Sequence, residues 1–172
     1  MIKIAVLTFK NYSDLNINFF FIDIMDNYLR YLSTLALVTS LDKRKIIMGY
    51  RKDDDRFFPG MPAFPGGRVS GNEILEDRVA IECNEEAGVA IAKINMIYLG
   101  NCVFPRDDYF VTQLAFAVPA KNDEFLRETK ELKGINYFYP HELRQLIPKE
   151  GYFLNYHAFI DKAIELGTIE IR

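Results

Sequence analysis

The strongest constraint on the fold is a break near the middle of the sequence, where regular secondary structure cannot continue. Residues 52–71 contain proline and glycine at short intervals, namely Pro59, Gly60, Pro62, Pro65, Gly66, Gly67 and Gly71. This density of helix and strand breakers predicts a long loop. The following segment, Glu73 to Ala87, has neither residue type and stops at Gly88. We therefore predict a helix there, with Gly88 ending it.

Segments rich in β-branched and aromatic residues surround this loop and helix. Strands are predicted over residues 2–9, 29–40, 46–50, 94–104, 109–118 and 135–139. A helix is expected to begin at Pro140, and a last helix to cover residues 154–166. Phe19 to Tyr31 has both strand and helix character, and its conformation stays open. With no repeat or linker in 172 residues, we predict one domain of the α+β class, an α/β/α sandwich.

Composition and charge exclude several classes of protein. A hydrophobic fraction of 49% and a charged fraction of 26% are typical of globular rather than disordered chains. The net charge of -3 provides no general positive field for nucleic acid, although a local basic patch could still bind a small anion.

Phe19 to Met25 is too short to span a membrane, and the first residues lack the features of a signal peptide. Because Cys83 falls inside the predicted helix, where a disulfide is hard to form with Cys102, we expect a reducing cytoplasm.

Three glutamates lie close together on one face of the predicted helix. Glu82 precedes Glu85 by three positions and Glu86 by four, so all three fall within about one turn. Carboxylates at this spacing repel, and a divalent metal ion, which prefers oxygen ligands, relieves the repulsion. The ordinary alternative is a solvated acidic face, which is the commoner explanation when such a pattern stands alone.

The surroundings of these glutamates resemble the box of the Nudix hydrolases. That motif begins with Gly, five residues of any type, Glu and seven further residues. It continues as Arg-Glu, a hydrophobic residue, any residue, Glu-Glu, any residue, Gly and a hydrophobic residue. Here Gly67, Glu73 and the run from Glu82 to Val89 match it. The flanks are similar as well, with Arg51 after a predicted strand and Phe64-Pro65-Gly66-Gly67 before the box. The resemblance spans about Leu35 to Leu146, and it implies an α/β/α sandwich with a mixed central sheet.

The resemblance implies a hydrolase that uses Mg²⁺ or Mn²⁺ to cleave a diphosphate linkage. Its catalytic residues would be Glu73, Glu82, Glu85 and Glu86, with Glu82 binding metal or activating the attacking water. A backbone carbonyl at Gly66 or Gly67 would be a further metal ligand. A carboxylate outside the box often completes such sites, and Glu131 and Glu128 are candidates, although either could equally be a solvated loop charge.

One position departs from the motif. Ile81 stands where the family has an arginine that pairs with acidic residues of the box. Arg78 lies one turn before Glu82 and could supply a replacement cation. Three hypotheses follow: an active hydrolase, a weakened domain that still binds nucleotide, and a protein-interaction domain built on the fold.

The substrate is open among nucleoside diphosphates linked to a second group. Arg51, Arg56 and Gly60 are spaced before Phe64 as in coenzyme A pyrophosphatases, although other parts of that motif are missing. Pro105 lies sixteen positions after Val89, as in ADP-ribose pyrophosphatases, but a proline that ends a strand explains it as well. Nucleotide sugars and nucleoside triphosphates also remain candidates. A basic wall could bind the phosphates, or could equally be surface charge; its members would be Arg51, Lys52, Arg56 and Arg68.

The first thirty residues fall outside the resemblance. Ile2 to Asn27 carries Phe and Ile side chains that need cover, and we expect this segment to extend the core or to form a homodimer interface.

Overall fold

A mixed β-sheet forms the centre of the computed structural model. The structure describes the backbone at Ala5–Val6 and Phe20–Phe21 and the chain over residues 29–121 and 126–171. The two short N-terminal strands, β1 (Ala5–Val6) and β2 (Phe20–Phe21), pair antiparallel with each other. The proposed role of Ile2 to Asn27 in a dimer or a core extension otherwise lies outside the described residues.

The main sheet is organised around two long parallel strands. β3 (Leu29–Thr39) pairs along its whole length with β7 (Tyr109–Pro119), and β6 (Ile97–Arg106) adds antiparallel to β7. On the other side, β4 (Ile46–Arg51) pairs antiparallel with β8 (Leu132–Phe138) and with the short β5 (Pro62–Ala63). Among the described residue pairs, β3 and β4 pair only at Thr39 and Ile46. The loop before the helix therefore fits between the rest of these two strands.

Helices cover both faces of this sheet. α1 (Leu75–Ala87) packs Val79 and Cys83 against one face, where Ala36 and Val38 of β3 are buried. α2 (Pro140–Leu146) and α3 (Leu154–Glu165) pack on the other face, which carries Leu35. Alternate residues of β3 thus enter two separate cores, because neighbouring strand side chains point to opposite faces. The predicted α/β/α sandwich with a mixed sheet is confirmed.

The ends of the elements differ from the predicted ones for local reasons. α1 begins at Leu75 rather than Glu73, because the backbone of Ile74, the residue before the helix, is extended (ψ 130°). It ends as predicted at Gly88, whose φ of 70° is left-handed. β6 continues through Pro105, which a strand at the edge of a sheet tolerates.

Among the described helices, none has the length and the apolar character that crossing a membrane requires.

The loop before α1 is fastened along the edge of β3. The N–H of Ala36 donates to the carbonyl of Pro65 (2.7 Å), and the N–H of Thr34 donates to that of Gly67 (2.9 Å). Between these two bonds lies Gly66, whose missing Cβ would overlap the Thr34 carbonyl oxygen and lie 2.9 Å from Leu35 Cα. Glycine is therefore required at position 66 by the close approach of two backbones.

We expect Gly66→Ala to reduce the free energy of unfolding by roughly 1–3 kcal/mol, because the added methyl group meets backbone that cannot move independently. Urea unfolding followed by circular dichroism measures this change. Asn72→Ala, an exposed substitution in the same loop, is the matched control and should change stability by less than about 0.5 kcal/mol. Equal stability of the two variants would contradict this account of the loop.

Candidate functional site

The Gly66–Gly67 turn holds two glutamates of α1. The backbone N–H of Gly66 donates a hydrogen bond to Glu86 Oε2 (2.7 Å). The carboxylate of Glu82 lies against Gly67 so closely that a Cβ at that position would overlap Oε1. The glycine-rich turn and the acidic helix therefore form one structural unit, as the box pattern predicts.

Both of these glutamates are buried, at 4% exposure for Glu82 and 5% for Glu86. Burial raises the pKa of Glu86 to about 9, and a hydrogen bond with the Glu131 carboxyl acts in the same direction. Burial also raises the pKa of Glu82, against the opposing effect of the Arg78 guanidinium. The site thus concentrates carboxylates where their negative charge is poorly solvated, which favours the approach of a cation.

The carboxylate candidates outside the box are separated by the structure. Glu131 lies near α1, where it raises the pKa of both Glu86 and Glu82. Glu128 instead accepts a hydrogen bond from the Gly134 N–H (2.9 Å) and pairs with Lys52 (3.6 Å). Only Glu131 of these two therefore lies with the glutamates of the box.

Arg78 takes the place next to Glu82 that the missing box arginine leaves. Its guanidinium donates to Glu82 Oε1 and lies 3.9 Å from Glu73 Oε1, so it bridges two glutamates of the motif. Ile81, at the usual position of the arginine, is 42% exposed on α1. The cation predicted from the i to i+4 spacing is present at the site.

The other two glutamates of the motif are placed differently. Glu73 bonds to Ser70 and faces Arg78, so its contacts are those of a residue that positions the arginine. Glu85 is exposed on α1, and its charge also raises the pKa of Glu82.

A divalent metal ion fits the donor set of this site. Glu82, Glu86 and Glu131 offer hard oxygen atoms and an excess of negative charge, which suit Mg²⁺ or Mn²⁺. Within residues 29–121 and 126–171, no three acidic, His or Cys side chains are arranged as a finished ligand set. In this arrangement Glu82 is turned to Arg78, and Glu86 accepts the hydrogen bond from the Gly66 N–H.

A basic cleft lies beside the same turn. Gly66 and Gly67 line it, and so do three arginines from separate parts of the chain: Arg51, Arg68 and Arg106. Arg51 is held by Asp55 (3.0 Å), and Arg68 lies 3.6 Å above the ring of Tyr31. Guanidinium groups converging on one cleft are suited to bind phosphates.

Arg106 was not among the predicted site residues. Its guanidinium lies 3.3 Å above the Phe57 ring, and its Nε is buried without a hydrogen-bond partner among the described residues. Burial, and then the nearby charge of Arg51, lower the pKa of Arg106. The register of β6 with β7, which places Arg106 opposite Tyr109 beside the cleft, could not be obtained from sequence.

The remaining predicted basic residues lie outside the lining of the cleft. Arg56 is exposed and pairs with Asp107 (2.9 Å), while Lys52 pairs with Glu128. The Arg51, Arg68 and Arg106 group therefore replaces the predicted wall of Arg51, Lys52, Arg56 and Arg68 as the basic surface of the cleft.

Aromatic rings form the wall of the cleft that is farther from α1. Tyr152 stacks on Phe58 with 5.6 Å between ring centroids, and Phe104 lies 4.5 Å from Tyr152. Gln113, from β7, accepts a hydrogen bond from the Tyr152 hydroxyl (2.7 Å). Tyr152 and Gln113 carry no motif in the sequence, and the packing of residues 151–153 against the sheet brings them together.

Comparison with known proteins assigns a family and a fold. The model of the NUDIX domain matches residues 30–157. A MutT protein from Methanosarcina mazei Go1 has a similar structure, with a TM-score of 0.64 at 17% identity over 83% of this chain and 98% of that one. The NUDIX domain of Shewanella oneidensis NrtR, solved with ADP ribose, has a TM-score of 0.63 at 16% identity, over 80% of this chain and 88% of that one. The E. coli ORF135 protein has a TM-score of 0.61 at 17% identity, over 81% of this chain and 94% of that one. Curated protein sequences give no match.

We expect the metal-free protein to lose stability as the pH rises from about 4.5 to about 9. In this range folded Glu86, with its pKa raised to about 9, retains a proton that the unfolded chain releases near the ordinary value of 4.5. Thermal melting in a chelator between pH 5 and 9 measures the effect.

Glu86→Gln supplies the control, because an amide has no proton to release in this range. The variant should melt with a flatter pH dependence than the parent and at a higher temperature above pH 8. A parent protein whose melting temperature is constant or rises over the same range would contradict the assignment.

Proposed function

The chain belongs to the Nudix family, whose members hydrolyse diphosphate bonds, and we propose that it cleaves a nucleoside diphosphate linked to a second group. The Gly66–Gly67 turn carries this proposal. The turn contacts Glu82 and Glu86, and it also lines the cleft that contains Arg51 and Arg106. A diphosphate in the cleft would thus lie between a basic wall and an acidic helix.

We assign the metal ligands to Glu82, Glu85, Glu86 and Glu131, with the carbonyl of Gly66 as a further donor. The Gly67 carbonyl is the weaker candidate, since it already accepts the Thr34 N–H bond. Bound Mg²⁺ or Mn²⁺ would lower the pKa of water and neutralise phosphate charge. The chain's own residues hold the donors in place: Gly66 orients Glu86, and Arg78 orients Glu82.

Arg51 and Arg106 would bind the two phosphates, and Arg68 at the rim would add positive charge. Water attack on phosphorus would break the bridging P–O bond, giving a nucleoside monophosphate and a phosphorylated second fragment. Orientation by paired guanidinium groups is the usual means of aligning a diphosphate for in-line attack. ADP ribose belongs in the substrate panel, because it is bound in the Shewanella structure.

The bridge from Arg78 to Glu82 and Glu73 favours an active enzyme over a domain that only binds nucleotide. In both cases the ligand is a small nucleotide-like molecule. We further propose a cytoplasmic location, since Cys83 and Cys102 are both free. One domain over 1–172, with residues 1–30 as an added element or a homodimer contact, remains our proposal for the organisation of the chain.

We predict that Glu82→Gln lowers kcat at least about a hundredfold in the presence of Mg²⁺, on the scale expected for loss of a general base or a key electrostatic group. Release of nucleoside monophosphate from ADP ribose, coenzyme A, nucleotide sugars and nucleoside triphosphates measures the rate. Glu76→Gln, an exposed change in the same helix, is the matched control and should retain the parent rate. Metal-independent turnover, or an active Glu82→Gln variant, would rule out the assigned mechanism.

Arg78→Met should lower kcat at least about tenfold, because Glu82 loses the cation that orients it. Adding Ile81→Arg to this variant should restore much of the rate by supplying a cation from the usual position in the motif. Arg144→Met on α2 removes an exposed pair with Asp161 of α3, and it is the control for loss of an arginine. If Arg78→Met were as active as the parent, Arg78 would not be a positioning residue.

A further inference from the structure

Gln113 is a buried amide that faces the cleft. It lies in the middle of β7 at 8% exposure, in register with Ser33 of β3 and Cys102 of β6. Its Oε1 accepts the hydrogen bond from the Tyr152 hydroxyl, and the Tyr152 and Tyr156 hydroxyls are 3.2 Å apart. The bond favours the orientation of the amide in which Oε1 faces Tyr152, because the Tyr152 hydroxyl donates to that atom.

The orientation of the amide leaves its N–H groups for a ligand. Within the described residues, no hydrogen bond joins the Gln113 Nε2 to an acceptor, although the side chain lines the cleft. Ser33 also lines the cleft, and its hydroxyl is buried without a partner among the described groups. Unmet hydrogen-bonding capacity at one place in a cleft indicates that a bound molecule completes it.

The surroundings of this amide suit a flat ring. Tyr152, Phe58 and Phe104 supply aromatic faces beside it, and the arginines lie in the same cleft. A nucleotide has both parts that such a cleft can bind, a stacking base and a charged phosphate chain.

We propose that Gln113 recognises the base of the substrate and selects bases that present a ring carbonyl over adenine. This inference rests on the proposed diphosphate substrate and extends it to the base. With Oε1 turned to Tyr152, the amide presents its Nε2 donors to the cleft, so it matches a carbonyl oxygen of the base and opposes an exocyclic amino group. Tyr152 is the positioning residue, since its hydroxyl sets which end of the amide faces the base.

Inosine diphosphate and adenosine diphosphate provide a matched pair of probes, because they differ only along one edge of the base. Inosine has a carbonyl and a protonated ring nitrogen there, whereas adenosine has an amino group and an unprotonated ring nitrogen. Calorimetry with Mg²⁺ should show the inosine compound binding at least about tenfold more tightly, as expected when a buried donor would otherwise lose its partner. Gln113→Glu replaces the donor by an acceptor and should abolish or reverse the preference. Tyr152→Phe should reduce it, since the amide can then turn.

Two controls show whether misfolding causes a lost base preference: the Gln113→Met variant and the binding of inorganic pyrophosphate. Gln113→Met should lose the preference and still bind pyrophosphate like the parent. Equal affinity for the two nucleotides, a preference for the adenosine compound, or a preference unchanged by Gln113→Glu would overturn the inference. Pyrophosphate binding without nucleotide binding would also overturn it while leaving diphosphate recognition intact. A base preference without turnover of any panel substrate would instead count against the proposed hydrolysis.

Discussion

The hydrogen bond from the Gly66 backbone to Glu86 is the interaction on which the arrangement of the site depends. It joins a loop that has no regular structure to the helix that carries the acidic residues. The loop can make this bond because it runs along β3 through backbone contacts on either side of Gly66. The sheet thereby fixes the distance between the glutamates and the cleft, so this distance does not depend on the flexibility of the loop.

Burial disfavours the charged form in both halves of the site, the glutamates and the arginines. It drives Glu86 toward its protonated form and lowers the pKa of Arg106, whose Nε has no hydrogen-bond partner among the described residues. A ligand of the other sign favours the charged form in each half: a cation replaces the proton of Glu86, and an anion compensates the guanidinium of Arg106. A phosphate chain with its metal ion carries both signs, which is why one molecule could satisfy the two halves together.

Much of this architecture could be predicted from local patterns. The breakers in residues 52–71, the uninterrupted helix before Gly88 and the strand-forming residues of β3 are each recognised from neighbours in sequence. The spacing of Arg78 and Glu82 likewise indicated their contact. Arg106, Gln113 and Tyr152 could not be found in this way, because their common location depends on the register of β6 and β7 and on the packing of residues 151–153. Long-range pairing of that kind leaves no periodic signal in the chain.

The outer strand of the described sheet has one further consequence. β6 has its partner β7 on one side, and its other edge carries backbone groups that could pair with a strand from another molecule. Pro105 removes one donor from this strand, and the register shifts between Tyr98 and Gly100. Both features interrupt a continuous ladder, and natural proteins use such interruptions to keep sheets from joining edge to edge. The irregularities of β6 should therefore help the folded protein to resist fibrous aggregation at high concentration.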